Sequence, residues 1–472
     1  MSTIDLAAYV DGVSLAAALR RREVGVLEVL QATLELIDER NPALGAIVWL
    51  DRDDARRRAE RAARRLDADD PAPFLGVPLP VKDLHPVAGW PITYGSWGGP
   101  EGVSARSSIA VEALEEAGFV LVGRSATPEL GELPATEGDR YGVTRNPWDL
   151  SRTPGGSSGG AAAAVAGGMV TVAHGSDGGG SLRIPAAACG LVGLKPSRGR
   201  VPARSAPWFG LSTEGVVTRS IRDQAACLAV LAAPRRGAWL PQPPAGFGDG
   251  GWHVAPTRLR VGVVTEPPFG LPIDDARRLA VGEVARLVAD LGHEVREVTL
   301  ALPDELIEAV SVVVGAGVAE HDDLDWSRVE PHTAAEYERA KALPATELVR
   351  QLMVLERTGS DLAAALPGDV DVLLTPTTAI APPPVGTVLE AAHAAAHTGL
   401  PALEVVSLAI FTLPWNIAGL PAISLPTHLD VDGLPIGVQL VGPPAGEATL
   451  LALGAALEEV YEWTTRRPPV QR

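Results

Sequence analysis

The chain has 472 residues, a formal net charge of −18 and a hydrophobic fraction of 46%. This length can bury a large core, and the acidic excess argues against nucleic acid or an anionic membrane as a partner. Residues 1–5 lack the basic and apolar segments of a signal peptide, and no apolar run approaches 18 residues, so we expect a soluble cytoplasmic protein.

Residue types that bind metals or form disulfides give no pattern. The two cysteines, Cys189 and Cys227, stand in apolar surroundings without CxxC spacing, so we expect buried free thiols. The nine histidines are scattered and form no HExxH motif. We therefore predict no metal site and no cofactor.

Residues 1–70 are predicted to be helical and to pack outside the core. One helix is indicated by apolar residues at helical spacing, namely Val26, Leu30, Leu34 and Ile37. It is expected to stop at Asn41 and Pro42, because proline breaks a helix interior. A second, charged helix is expected over residues 52–67.

Residues 75–230 alternate short apolar strands with helices, which is typical of an α/β protein. The clearest elements are a helix over 107–117, a strand over 119–123 and an alanine-rich helix over 159–167. We expect this segment to form the core of the fold.

The second half begins with a loop rich in proline and glycine, residues 234–256, followed by a β-α-β unit over 259–264, 274–290 and 294–300. Residues 301–365 are predicted to be helices. The chain then returns to the core with strands at 371–374, 422–425 and 436–440 and a closing helix at 447–461. We predict one domain over 1–472, in which 257–365 is a variable, substrate-side region and 366–472 completes the core sheet.

Two glycine clusters that contain serines, residues 155–160 and 177–185, suggest the two halves of a hydrolytic site. A flexible linker is the alternative, but linkers are not flanked by apolar segments such as 169–173. Glycine runs let backbone N–H groups converge on one point, as in an oxyanion hole. Ser181 ends such a run, so the predicted oxyanion donors are the N–H groups of Gly178, Gly179, Gly180 and Ser181.

Lysine is rare in this chain, which carries only Lys82, Lys195 and Lys341 among its 40 basic residues. A buried lysine can lose its proton and act as a base, whereas arginine cannot. Lys82 follows an apolar, strand-like run at residues 76–81, which makes it the candidate base. The alternative is a lysine at a strand end whose amine reaches solvent beside Asp83.

The segment 155–159 also satisfies G-x-S-x-G, the nucleophile elbow of α/β-hydrolases, which would make Ser157 the nucleophile of an esterase. That elbow requires a strand leading into the serine, whereas residues 146–154 read as a loop interrupted by prolines. His428 is the one plausible late histidine for such a triad. No Walker A loop and no G-x-G-x-x-G motif after a strand indicates nucleotide binding.

Taken together, these motifs resemble the amidase signature family of serine hydrolases. The resemblance extends from Gly76 to about Ser220 and again over residues 411–426 and 433–439. It implies an α/β/α sandwich with a large mixed central β-sheet covered by helices. It also implies that Ser181 is the nucleophile, that Ser157 follows a cis peptide bond, and that Lys82 is the base.

The resemblance further implies a relay in which Lys82 draws a proton from Ser157 and Ser157 draws one from Ser181. Asp177 and Arg183 are expected to form a structural pair that fixes the nucleophile loop. Ser158 is expected to hold the same loop by hydrogen bonds.

Within the family, segments 144–150, 172–177 and 185–196 are most similar to the branch of nylon-type cyclic oligoamide hydrolases, aryl acylamidases and urethane-cleaving amidases. The amidase subunit of glutamyl-tRNA amidotransferase is the alternative, but it usually has an acidic residue where this chain has Ala409. We expect small apolar or aryl amides, or carbamates, as substrates, with residues 301–365 and 380–410 lining the entrance. We expect neither nucleic acid nor a membrane as partner, and we leave a homodimer open.

Overall fold

The computed structural model describes residues 4–242, 258–366, 368 and 370–471. In these residues the strands are β1 (Ile47–Trp49), β2 (Pro78–Lys82), β3 (Val120–Ser125), β4 (Glu137–Gly138), β5 (Gly142–Val143), β6 (Val172–Asp177), β7 (Val192–Lys195), β8 (Thr213–Thr218), β9 (Arg260–Val263), β10 (Glu294–Glu297), β11 (Val372–Pro376), β12 (Ala422–Leu429) and β13 (Pro435–Val441).

The helices of the same residues are α1 (Gly12–Arg20), α2 (Val26–Leu44), α3 (Arg52–Asp67), α4 (Ile109–Glu116), α5 (Gly159–Ala166), α6 (Arg183–Cys189), α7 (Pro207–Gly210), α8 (Ile221–Leu231), α9 (Asp275–Asp290), α10 (Leu306–Gly317), α11 (Pro331–Ala342), α12 (Ala345–Ala364), α13 (Thr387–Ala395), α14 (Leu403–Ala409), α15 (Leu413–Ala418) and α16 (Glu447–Tyr461). Short 3-10 turns occur at Leu6–Ala8, Glu129–Gly131, Pro268–Gly270, Val318–Glu320, Trp463–Thr465 and Pro469–Gln471.

Eight strands form the central sheet, in the order β10-β9-β11-β13-β12-β7-β8-β6. The pairs β10–β9 and β9–β11 are parallel and the other pairs are antiparallel, so the sheet is mixed. Helices flank it, which confirms the predicted mixed α/β fold. A smaller sheet, β1-β3-β2, brings β2 against the edge strand β6.

The two faces of the central sheet carry different residues. On β12, Ile423 and Leu425 point into the main apolar core, which also contains side chains of α8, α9 and α16. The opposite face is lined with small residues, so that α6 can lie directly on it. A Cβ added at Gly193 would be 2.5 Å from the Leu182 carbonyl oxygen, and one added at Gly437 would be 2.4 Å from Ala187 Cβ. Only glycine allows this close approach.

Several elements predicted from the sequence lie where they were expected, and others differ. Helix α2 continues past Pro42 and ends at Gly45, which has φ of +61°. In the last turn a proline costs one hydrogen bond without stopping the helix, and the left-handed glycine ends it. Helices α2 and α3 also bury one face in the main core rather than lying outside it. Six further strands were not predicted. Strands β1, β4, β5 and β7 are only two to four residues long, and β6 and β8 have polar side chains at three of their six positions, so none gives a clear apolar strand pattern.

The described residues bear on two further expectations. Cys189 and Cys227 are buried free thiols, as predicted. Among these residues there is no helix with the length and apolarity that a membrane span requires. The predicted loop at 234–256 lies largely outside the described residues.

Candidate active site

Lys82 and Ser157 meet where the small sheet contacts the large one. Lys82 is the last residue of β2 and is fully buried. Its Nζ lies 2.7 Å from Ser157 Oγ and 3.3 Å from Ser176 Oγ, on the adjoining strand β6. Lys82 therefore contacts the first glycine cluster at Ser157 and the strand that leads into the second cluster, and its amine does not reach solvent.

Burial lowers the pKa of Lys82 to about 7, against the opposing effect of the Asp177 charge. A charged amine loses its hydration in such a site, so the neutral form is favoured. A group with a pKa near neutrality can accept a proton and return it during one reaction cycle. Lys82 thus has the electrostatic character of a general base.

Ser157 is held by the turn that precedes α5. The Gly156–Ser157 peptide bond is cis, which is the conformation that the family resemblance implied. The next residue, Ser158, ties this turn to β6, because its Oγ donates to the Ser176 carbonyl oxygen at 3.1 Å and accepts from the Ser176 N–H at 3.3 Å. Ser158 thereby fixes the position of Ser157 relative to the strand that leads to Ser181.

Ser181 follows β6 in a tight loop and is half-buried. Its carbonyl oxygen accepts from the Ser158 N–H at 3.2 Å, which joins the two serine loops. Within the described residues no hydrogen bond links the Ser157 and Ser181 hydroxyls. Such contacts often tighten only when substrate is bound.

The predicted oxyanion donors divide into two groups. The Gly180 N–H donates to Asp177 Oδ1 at 2.8 Å, so it is engaged in holding the loop. The N–H groups of Gly178, Gly179 and Ser181 have no acceptor in the described part of the chain. These three remain the candidate donors, and the inclusion of Gly180 is corrected because its N–H already stabilises a carboxylate.

Asp177 and Arg183 form a fully buried, bidentate ion pair beneath the loop. Arg183 Nη2 donates to Asp177 Oδ1 and Arg183 Nε to Asp177 Oδ2, both at 2.9 Å. Burial by itself would raise the pKa of Asp177, but the Arg183 guanidinium and the hydrogen bonds from Arg183 and Asn416 hold that pKa well below its usual range. The pair therefore remains charged in the interior.

Residues from the C-terminal segment complete this network, and no role was predicted for them. Arg183 also donates to the Thr412 carbonyl oxygen, Gln439 Oε1 and Asn416 Oδ1, at 2.8, 2.8 and 2.6 Å. Thr412 Oγ1 donates to the Gly179 carbonyl oxygen at 2.7 Å. The motif at 411–426 was visible in the sequence, but nothing there indicated that it lies under the nucleophile loop. Ser176, beside Lys82, was likewise not singled out.

Two cavities meet at Ser181 and share Gly131, Gly178 and Trp208 in their walls. The first has a volume of about 200 Å³. Its walls are mainly aliphatic, with Leu133, Ile184, Leu306, Val310, Val406 and Leu413 among the lining residues. The predicted entrance segments 301–365 and 380–410 both contribute to this wall.

The second cavity has a volume of about 380 Å³ and also reaches Ser157 and Ser176. Its wall is more polar, with His85, Arg106, Ser108, Glu214, Glu320 and His321. Glu214 Oε2 lies 3.1 Å from both His85 Nδ1 and His174 Nε2. Burial would raise the pKa of Glu214, but the two imidazoles hold it well below its usual range.

Side chains that could hold a metal ion lie beside the aliphatic cavity. His332, in its wall, is next to Glu330 and His393, and one potential ligand atom of each lies within 4.8 Å of the others. The sequence predicted no metal, and this cluster was not foreseen.

Comparisons with known proteins agree with one another. The family model described as Amidase matches residues 28–451. The chain is 35% identical over 507 residues to the 6-aminohexanoate-cyclic-dimer hydrolase of Pseudomonas sp. (strain NK87), covering 99% of this chain and 98% of that protein. A structure of 6-aminohexanoate cyclic dimer hydrolase complexed with substrate has a TM-score of 0.90 at 32% identity, covering 99% of this chain and 100% of that one. The structure of a bacterial aryl acylamidase of the amidase signature family has a TM-score of 0.85 at 26% identity, covering 97% of this chain and 99% of that one.

Proposed function

Because the chain belongs to the amidase signature family of hydrolases, which act on amide C–N bonds, we propose that it cleaves small apolar or aryl amides with Ser181 as nucleophile. Ser157 and Lys82 complete the proposed triad. The observation that carries this assignment is the buried Lys82 amine, 2.7 Å from Ser157 Oγ.

In the proposed mechanism neutral Lys82 takes the proton of Ser157 Oγ, and Ser157 Oγ in turn takes the proton of Ser181 Oγ. Ser181 Oγ attacks the amide carbonyl carbon as it loses this proton. The tetrahedral intermediate collapses, the C–N bond breaks, and the amine leaves with the proton returned through Ser157. Water then attacks the acyl-enzyme with the same relay, releasing the carboxylic acid and restoring Ser181. The N–H groups of Gly178 and Gly179 and of Ser181 itself stabilise the oxyanion in both steps.

The esterase alternative, with Ser157 as nucleophile, has less support. The turn at Ser157 follows residues 144–156, which contain no strand, whereas a nucleophile elbow needs a strand directly before the serine. Ser157 is only 2% exposed, while Ser181 opens on both cavities.

The aliphatic cavity supports an apolar substrate group. Ala409, at the position where an acidic residue would be expected in a glutamine-binding relative, lies in its wall. The names of the relatives, a cyclic amide-dimer hydrolase and an aryl acylamidase, favour the same substrate class. We extend the proposal to carbamates: attack by Ser181 breaks the bond to the alcohol oxygen, and the alcohol leaves with a proton from Ser157. Water then hydrolyses the carbamoyl-enzyme to a carbamic acid that decays to carbon dioxide and an amine.

The nucleophile assignment is tested by labelling the intact protein with a fluorophosphonate and locating the adduct by peptide mass spectrometry. Ser181 Oγ is expected to displace fluoride and carry the phosphonyl group, and a Ser181→Ala variant is expected to remain unlabelled. Label on Ser157 in the wild-type protein would instead support the esterase alternative.

The pH dependence of kcat/KM follows from the state of Lys82. Its pKa of about 7 means that the neutral base is lost as the pH falls, so kcat/KM is expected to rise as the pH increases through about 7. The measurement is a pH profile on an uncharged anilide. Burial lowers the pKa of Lys195 to about 7 as well, so Lys195→Met is the matched control and should keep the same midpoint. A profile that stays flat between about pH 5 and pH 9 would contradict the role of Lys82.

A further inference from the structure

Three potential metal ligands converge from two helices that border the aliphatic cavity. Glu330 immediately precedes α11, His332 lies in its first turn, and His393 lies near the end of α13. Glu330 is 3% exposed and His332 4%, while the His393 side chain is 30% exposed. The cluster is thus largely enclosed, with one face toward solvent.

The facing atoms of this cluster lack hydrogen bonds. Glu330 Oε2, His332 Nδ1 and His393 Nε2 are all buried and have no partner among the described residues. Glu330 Oε2 lies 3.7 Å from His332 Nδ1 and 3.5 Å from His393 Nε2, which is too long for a hydrogen bond. Buried polar atoms are nearly always paired, so three orphans at one point require an explanation.

The spacing of these atoms suits a shared cation. Two nitrogen or oxygen ligands of a tetrahedral Zn²⁺, each about 2.0–2.1 Å from the metal, stand about 3.3–3.4 Å apart. The two distances from Glu330 Oε2, 3.5 and 3.7 Å, exceed this by a few tenths of an ångström, and one ligand atom of each residue lies within 4.8 Å of the others. An inward movement of the side chains would bring the three atoms to coordination distance. One divalent ion would satisfy all three atoms at once.

Of the outward-facing atoms, Glu330 Oε1 is held by a hydrogen bond, and His332 Nε2 lies near two polar groups without a close contact. Glu330 Oε1 accepts from the Asp139 N–H at 2.9 Å, which leaves Oε2 directed at the cluster. His332 Nε2 lies 3.5 Å from Thr333 Oγ1 and 3.8 Å from Glu132 Oε2. A carboxylate that hydrogen-bonds to the second ring nitrogen commonly orients a histidine that binds metal through the first, and Glu132 is the carboxylate that could move into this role.

We propose that Glu330, His332 and His393 form a binding site for a divalent transition metal, with Zn²⁺ as the best match to two imidazoles and one carboxylate. The ion would join α11 to α13 in the wall of the aliphatic cavity. Glu132 and Glu336 also line this cavity, and Glu132 Oε2 lies 3.8 Å from His332 Nε2.

The test is zinc binding by the full chain, purified without a histidine tag and stripped with a chelator. Bound zinc is measured by elemental analysis after dialysis, and affinity by calorimetric titration. We expect one equivalent per chain, and we expect Co²⁺ in its place to give the visible absorption of a tetrahedral site. These readouts do not depend on amide hydrolysis, so the metal site and the proposed function can fail separately.

His393→Ala and Glu330→Gln are each expected to weaken zinc binding. Loss of a residue that only orients a metal ligand typically costs roughly 10–100-fold in affinity, and loss of a ligand itself should cost more. His397→Ala, an exposed histidine just beyond the end of the same helix, is the matched control and should bind zinc as the wild type does. Zinc should raise the melting temperature of the wild type and of His397→Ala, but not of His393→Ala. Absence of bound zinc in the wild type, or equal affinity in His393→Ala, would overturn the proposal.

Discussion

Replacing Lys82 with methionine is expected to lower kcat/KM for an anilide by roughly 10²–10⁴-fold, the range for loss of a general base. Lys82 Nζ is the group within hydrogen-bond distance of Ser157 Oγ that can accept its proton. Methionine fills similar volume and leaves no unpaired charge, so the protein should fold. Steady-state kinetics together with a melting curve would separate lost chemistry from lost structure.

Two further variants sharpen this test. Lys82→Arg keeps the positive charge but cannot be deprotonated, so it should be as inactive as Lys82→Met. Lys195→Met removes the other lysine that is buried, whose Nζ donates to the Pro196 carbonyl oxygen at 2.8 Å, and should retain most of the activity. Near wild-type turnover in Lys82→Arg would rule out a neutral lysine as the base.

Arg183→Met is expected to lower the free energy of unfolding by about 3–5 kcal/mol, because it leaves the Asp177 carboxylate buried without its cation. It also removes the hydrogen bonds to the C-terminal segment, so the loop that carries Ser181 should lose its fixed position. Chemical denaturation gives the stability change, and kcat measured at low temperature gives the effect on the site.

Arg200→Met is the matched control for this variant, because Arg200 forms another buried ion pair, with Glu447 at 3.1 Å. We expect a comparable loss of stability with a much smaller loss of kcat, since that pair does not touch the nucleophile loop. If both variants lost the same stability and both kept their kcat, the Arg183 network would have no positioning role.

Much of the candidate site was predictable, because its candidate catalytic residues lie in short, recognisable sequence motifs. The scarcity of lysine drew attention to Lys82, and the two glycine clusters drew attention to Ser157 and Ser181. The structure brings Lys82 and Ser157 into contact and sets the Ser181 loop against them. The catalytic roles of the three residues stay predictions until the labelling and kinetic experiments are done.

Features that depend on distant parts of the chain were not predictable. The Gly180 N–H is not free, because it donates to the Asp177 carboxylate. The orientation of that carboxylate cannot be predicted from a run of glycines. The cluster of Glu330, His332 and His393 was missed because its third member lies on a separate helix. Glu330 and His332 stand two residues apart, and this spacing is too common in proteins to indicate a metal site by itself. The end of α2 was misplaced because the left-handed Gly45, and not Pro42, determines it.

The Arg183 network also has a consequence for how the protein becomes active during its synthesis. The partners that Arg183 reaches in the C-terminal segment lie 229 to 256 residues further along the chain. A nascent chain still on the ribosome would already contain Lys82, Ser157 and Ser181, but it would lack the groups that hold the Ser181 loop. Contacts of such long range form late, because the intervening chain must first be ordered. Hydrolytic activity is therefore expected to appear only after nearly the whole polypeptide has been released and folded.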